Sequence, residues 1–155
     1  MLALRYNGIA PSDAAVPVFC QTMPNQLMAI PVLQTAFEQY VVQWERAKPQ
    51  IPLLNMALDE LLSNVVQYGF PDDPAEHHII KVEGEVRGGY IVLTITDEGT
   101  PFNPVTAKSP DLSLPPDERQ IGGLGIHLVK SMFDEVSYQR TVGHNIITIK
   151  KKLAS

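Results

Sequence analysis

The stretch from Ile79 to Thr96 constrains the fold of this chain more than any other. Ile80, Val82 and Val86 alternate with Lys81, Glu83 and Glu85, and Ile91, Leu93 and Ile95 alternate with Val92 and Thr94. A period of two puts each set on one side of an extended strand. Gly88 and Gly89, between the two runs, supply the backbone freedom of a tight turn, so the runs read as a β-hairpin. Such a hairpin has an apolar face that must be buried against another layer.

Upstream residues supply that layer. Leu27, Ile30, Leu33, Phe37, Val41 and Trp44 recur at three- and four-residue steps and predict an amphipathic helix from Gln26 to about Arg46, with Trp44 as its packed end. A second helix is predicted from about Ile51 to Tyr68. Pro52 lies in its first turn, Gly69 and Pro71 stop it, and Leu54, Leu58, Leu61, Leu62 and Val65 form its apolar stripe. Near the C-terminus, Gly125 to Phe133 reads as a third helix. Glu135 to Thr141 and Asn145 to Lys152 read as a second hairpin turning through Val142, Gly143 and His144. Residues 1–24 offer only a short strand at Leu2 to Tyr6 among the breakers Pro11, Pro17 and Pro24. The expected class is α+β, a two-layer sandwich with helices on one face of a mostly antiparallel sheet, and 155 residues suit a single domain.

The charge balance narrows the function classes. A net charge of -5 leaves no clustered basic surface for direct nucleic-acid binding, and the run Lys150 to Lys152 reads as a solvated strand end. Cys20 is the single cysteine, which excludes an intrachain disulfide and suggests a reducing compartment. The first residues lack a signal-peptide pattern, and no apolar run reaches the roughly 20 residues of a membrane span. A cytoplasmic protein is expected.

Three segments carry chemistry. Glu60 and Asn64 lie one turn apart on the second helix, sharing with Gln67 the face opposite the apolar stripe. A carboxylate and an amide oxygen so placed could orient a nucleophile and ligate magnesium. Asp97 and Gly99 stand where a strand runs out into a loop, an acceptor for an exocyclic amine beside a residue that permits close approach. Gly122, Gly123, Leu124 and Gly125 lead straight into a helix, where turned N–H groups and the helix end favour phosphate. Each is ordinary alone, as a solvated helix face, a turn and a flexible connector respectively. Their order, and the Pro-rich segment from Asp97 to Ile121 between the last two, is what adds weight.

These stretches, Leu58 to Asn64, Asp97 to Pro104 and Gly122 to Val129, resemble the N, G1 and G2 boxes of the GHKL, or Bergerat-fold, ATPases. More narrowly they resemble the bacterial anti-sigma factor serine/threonine kinases, which the Pro101-Phe102-Asn103-Pro104 continuation and Asp134-Glu135-Val136 suit better than gyrase, Hsp90 or histidine kinases. The resemblance runs from about Leu53 to Lys151. It implies ATP and Mg2+ as cofactors, Glu60 as general base, Asn64 as magnesium ligand, Asp97 as adenine reader with Gly99 beside it, residues 103–121 as the ATP lid, and amides around Gly123 and Gly125 as the phosphate cradle. Pro101 departs from the pattern, standing where a second glycine is expected. Arg119 in the lid reads either as a partner for the terminal phosphate or as an exposed solubilising side chain. Thr148 reads either as a water-mediated member of the adenine pocket or as a strand residue facing solvent, and His127 reads as a packed or half-exposed helix residue rather than a phosphoacceptor.

The resemblance further implies a homodimer that sequesters a sigma factor and phosphorylates a STAS-type anti-sigma factor antagonist. A non-catalytic module, in which ATP shapes the lid for partner docking, fits the same residues. A histidine-kinase catalytic domain is disfavoured, since no His occurs in residues 1–50.

Overall fold

The computed structural model describes residues 18–73, 77–106, 108, 111–118 and 124–155. Strand β1 (Phe19–Pro24) is followed by helices α1 (Ala29–Val41) and α2 (Ile51–Tyr68), the hairpin β2 (Ile79–Arg87) and β3 (Tyr90–Asp97), helix α3 (Leu124–Met132), and the hairpin β4 (Glu135–Thr141) and β5 (His144–Lys152). The strands form one sheet in the order β1-β2-β3-β5-β4, with every neighbouring pair antiparallel. The α+β layer architecture is as the hydrophobic periods require.

The core lies between the sheet and its helices. Ile80, Val82, Ile91, Leu93, Ile95, Ile147 and Ile149 supply the sheet side; Leu33, Phe37, Leu54, Leu58, Leu62 and Val129 supply the helix side. Full burial of one such Leu or Ile contributes roughly 1.5–3 kcal/mol. Gly84 sets the spacing between α1 and β2, because a Cβ there would fall 2.5 Å from the Phe37 ring. Phe19 and Tyr40 then pack around Phe37 with ring centroids 5.1 and 6.0 Å away.

Three elements differ from the expectations. Strand β1 lies in a region where no strand was expected, while Leu2 to Tyr6 fall outside the described residues. Helix α1 stops at Val41, short of Arg46. Successive tight turns, Trp44 N–H to Val41 O and Ala47 N–H to Trp44 O, carry the chain onward, so Trp44 still reaches Tyr40. His144 belongs to β5, which leaves Val142 and Gly143 as the turn, at φ 48° and 79°. Helix α2 and the hairpin β2–β3 form at the expected positions.

Candidate functional site

The sheet register builds the site. Asp97 ends β3 and pairs with Asn145 near the start of β5, so their side chains lie together on the helix-facing side. Both are buried, at 3% exposure each. The Asp97 Oδ1 accepts the Gly99 N–H at 2.8 Å and the Asn145 Nδ2–H at 3.0 Å. Asn145 also donates to the carbonyls of Gly99, at 3.3 Å, and Thr100, at 2.9 Å, while its own Oδ1 accepts the Tyr138 hydroxyl at 2.6 Å. Arg140 adds a hydrogen bond to the Gly99 carbonyl at 2.7 Å. One amide thus clamps the loop leaving β3, and Tyr138 fixes that amide's orientation.

Burial dominates the ionisation of Asp97, raising its pKa above the ordinary carboxylate value. The Asn145 and Gly99 hydrogen bonds and the nearby Arg140 and His144 pull the other way. Its Oδ2 takes part in none of the described hydrogen bonds, which leaves an acceptor for a ligand.

The loop after β3 is also fastened to the end of α2. The Thr100 N–H donates to the Gly69 carbonyl at 2.7 Å. A Cβ on Gly99 would stand 2.8 Å from that same oxygen and 2.9 Å from Asp97 Oδ1, closer than real side chains approach. Gly99 therefore serves close backbone approach here. Between these parts opens a cleft of about 150 Å³, lined by Leu61, Asn64, Val65, Asp97, Phe102 and Ile147 among others. Its walls are apolar and its polar groups few, as suits a planar heterocycle held by a small number of directed contacts.

Asn64 reaches the cleft from α2, and its Nδ2 is buried without a hydrogen-bond partner. A buried orphan N–H donor is costly, so this one marks a position where a hydrogen-bond acceptor of a ligand fits. Glu60, one turn earlier, is half-buried rather than solvated. Its carboxylate packs on Gly125 in the first turn of α3, where any Cβ would overlap it. The flank opposite the leucine stripe is thus partly covered by α3 and the cleft, and only Gln67 of the three polar residues is exposed.

The sequence-derived site residues divide accordingly. Asn64, Asp97 and Gly99 meet around the cleft or its loop, and Glu60 and Gly125 meet each other beside it. Leu124 opens α3 and is 46% exposed. Arg119, Gly122 and Gly123 lie outside the described residues, as do parts of the segment 103–121, whose described residues form turns and no helix or strand. Thr148 does not join Asp97. Three residues beyond Asn145, it points to the opposite side of the sheet, where its hydroxyl lies 3.3 Å from that of its cross-strand partner Thr94. The reading that sent it to the adenine pocket is corrected by that alternation.

Asn145, Tyr138 and Arg140 were missed. In the sequence Asn145 looks like a turn residue beside Gly143, and only its register opposite Asp97 distinguishes it.

An α+β sandwich with a buried aspartate at a sheet margin and a polar helix flank across a small cleft has the build of a nucleotide-binding ATPase domain. The chain belongs to the family described as the histidine kinase-like ATPase domain, which matches residues 23–151. It is 34% identical over 97 residues to the serine/threonine-protein kinase BtrW of Bordetella bronchiseptica, covering 62% of this chain and 66% of that one. It is 26% identical over 101 residues to the serine-protein kinase RsbW of Bacillus mycoides, covering 63% and 61%. An anti-sigma F factor of Geobacillus is 25% identical over 114 residues, covering 73% and 76%. The chain thus spans only about two thirds of the length of the two kinases. Among solved structures, the RsbU and RsbW domains of Rv1364c from Mycobacterium tuberculosis share the fold with a TM-score of 0.63 at 14% identity, over 92% of this chain and 34% of that one. Among the described residues no helix is long and apolar enough to cross a membrane.

Proposed function

We propose that this chain is an ATP-dependent serine/threonine protein kinase and anti-sigma factor, which phosphorylates a STAS-type antagonist and holds a sigma factor away from polymerase. One observation carries the reading. Asp97 and Asn64, far apart in sequence, line a single cleft, with Glu60 one helical turn from Asn64 at the start of α3. The names of the similar kinases and anti-sigma factors support it.

In this reading Asp97 accepts the adenine amine, and the apolar walls, Phe102 included, enclose the ring. Asn64 would hold Mg2+ through its amide oxygen. The amides of Gly122, Gly123, Leu124 and Gly125 would cradle the phosphates, with Arg119 near the terminal one. Bound ATP and Mg2+ supply the phosphoryl group and neutralise its charge. Glu60 takes the proton from the incoming Ser or Thr hydroxyl, and its packing on Gly125 holds the carboxylate in one place while it does so. The working form is a cytoplasmic homodimer.

The test is Glu60→Gln, which keeps the shape of the side chain and removes its basicity. Transfer of label from radioactive ATP to a STAS protein of the same gene neighbourhood should fall roughly 10²- to 10⁴-fold. ATP affinity, measured by calorimetry, should stay within about twofold, because removing a group that acts on the nucleophile leaves ground-state binding in place. Unchanged transfer would remove Glu60 as the base. If the parent protein binds ATP yet never labels an intact partner, the non-catalytic docking module replaces the kinase.

A further inference from the structure

The connection between α2 and β2 gathers three ligand-bearing side chains that the cleft does not use. His78 Nε2 lies 3.1 Å from Asp73 Oδ2, His77 Nε2 lies 3.6 Å from the same oxygen, and all three atoms fall within 4.8 Å of one another. We propose that Asp73, His77 and His78 form a three-ligand site for a borderline divalent transition-metal ion of the Zn2+ class.

Hydrogen bonding accounts for only part of this arrangement. The 3.1 Å contact is a good hydrogen bond, whereas 3.6 Å is too long for one, yet both imidazoles bring Nε2 to a single oxygen. Metal coordination explains the convergence better. With bonds of about 2.0–2.1 Å, the ligand atoms of a tetrahedral zinc ion stand about 3.3–3.4 Å apart. The observed 3.1 and 3.6 Å straddle that spacing.

The neighbourhood also has the division of rigidity that such a site requires. Phe70 stacks on the His78 ring at 3.9 Å and 11°, and the Asn25 N–H donates to the His78 carbonyl at 2.8 Å, so one ligand is fixed. The side chains of His77 and Asp73 are 69% and 60% exposed, which gives an ion access and lets His77 close on it. Two neutral imidazoles and one carboxylate suit Zn2+ or Co2+, leaving a fourth position for water. Mg2+ prefers oxygen ligands, so this site is chemically distinct from the one assigned to Asn64. Phe70 directly follows Gly69, which anchors the loop after β3, so an ion here would brace the rim of the cleft.

Titration of the full chain with Co2+ in the absence of nucleotide tests the proposal, followed by the visible absorption of a four-coordinate ion and by its displacement with Zn2+. The parent protein should take up one equivalent with that spectrum. His77→Ala and Asp73→Asn, both at exposed positions that leave the fold alone, should each weaken binding at least about tenfold. His127→Gln should bind as the parent does. Absence of the spectrum from the parent, or affinity unchanged in both Asp73→Asn and His77→Ala, overturns the site and leaves the kinase reading untouched.

Discussion

Asp97 illustrates a residue whose burial opposes stability once it is ionised. Its pKa is raised chiefly by burial, so the native state binds the proton more tightly than the unfolded chain does. The sign follows from linkage. Its contribution is fully present below the ordinary carboxylate pKa and is lost as pH rises through the raised folded value, so the ionised group lowers stability near neutral pH. Asp97→Asn should therefore raise the apo unfolding midpoint near neutral pH and flatten its decline as pH rises above the ordinary carboxylate range. The asparagine oxygen can still accept the Gly99 and Asn145 hydrogen bonds. ATP affinity should fall about 10- to 100-fold, since a hydrogen bond to a charged group contributes roughly 1.5–3 kcal/mol. Thermal melts across pH and calorimetry would read both; a lower apo midpoint for the variant would show that the charge is not the burden argued here.

At the scale of elements, the hairpin β4–β5 carries backbone strain that β2–β3 avoids. Both turn through two residues of positive φ, which glycine adopts freely at Gly88 and Gly89, but the second hairpin places Val142, a residue 90% exposed, at φ 48°. For a β-branched residue the left-handed region costs about 1–2 kcal/mol. Val142→Asn should recover about 1 kcal/mol, or about 2–4 °C in Tm, without touching the core. A midpoint unchanged or lowered in thermal unfolding would place the strain elsewhere. The same hairpin shows why elements were legible to different degrees. Strands β2 and β3 and helix α2 bury long stripes whose period is unmistakable, whereas β1 turns only Phe19, Gln21 and Met23 inward and ends at a proline. Short edge strands of this kind carry too few apolar positions to declare themselves. Helix α1 was read too long because the turns around Trp44 preserve nearly helical spacing after the helix has ended.

At the scale of the whole molecule, the site is a property of the assembled layers. Asp97 and Gly99, ordinary as a turn by themselves, could be read because they fall in order between the polar helix flank and the glycine-rich helix start. Asn145, 48 positions from Asp97, gains its meaning only from the register of β3 against β5, and Thr148 loses its assignment by the same register. A ligand bridging α2 and β3 should therefore stabilise the fold globally. At one hundred times its Kd, ATP with Mg2+ should add about 2.7 kcal/mol, provided it binds the native state alone. For a chain of this length that corresponds to roughly 5–11 °C in Tm. The purine should matter through Asp97: adenine offers an amine donor to the carboxylate, whereas guanine offers a carbonyl oxygen at the same ring position, leaving two acceptors face to face in a buried site. GTP at the same concentration should shift Tm far less than ATP, and Asp97→Asn, whose amide can donate to that oxygen, should narrow the difference. Equal shifts for the two nucleotides in the parent protein would move the base away from Asp97, and with it the orientation of the nucleotide in the cleft.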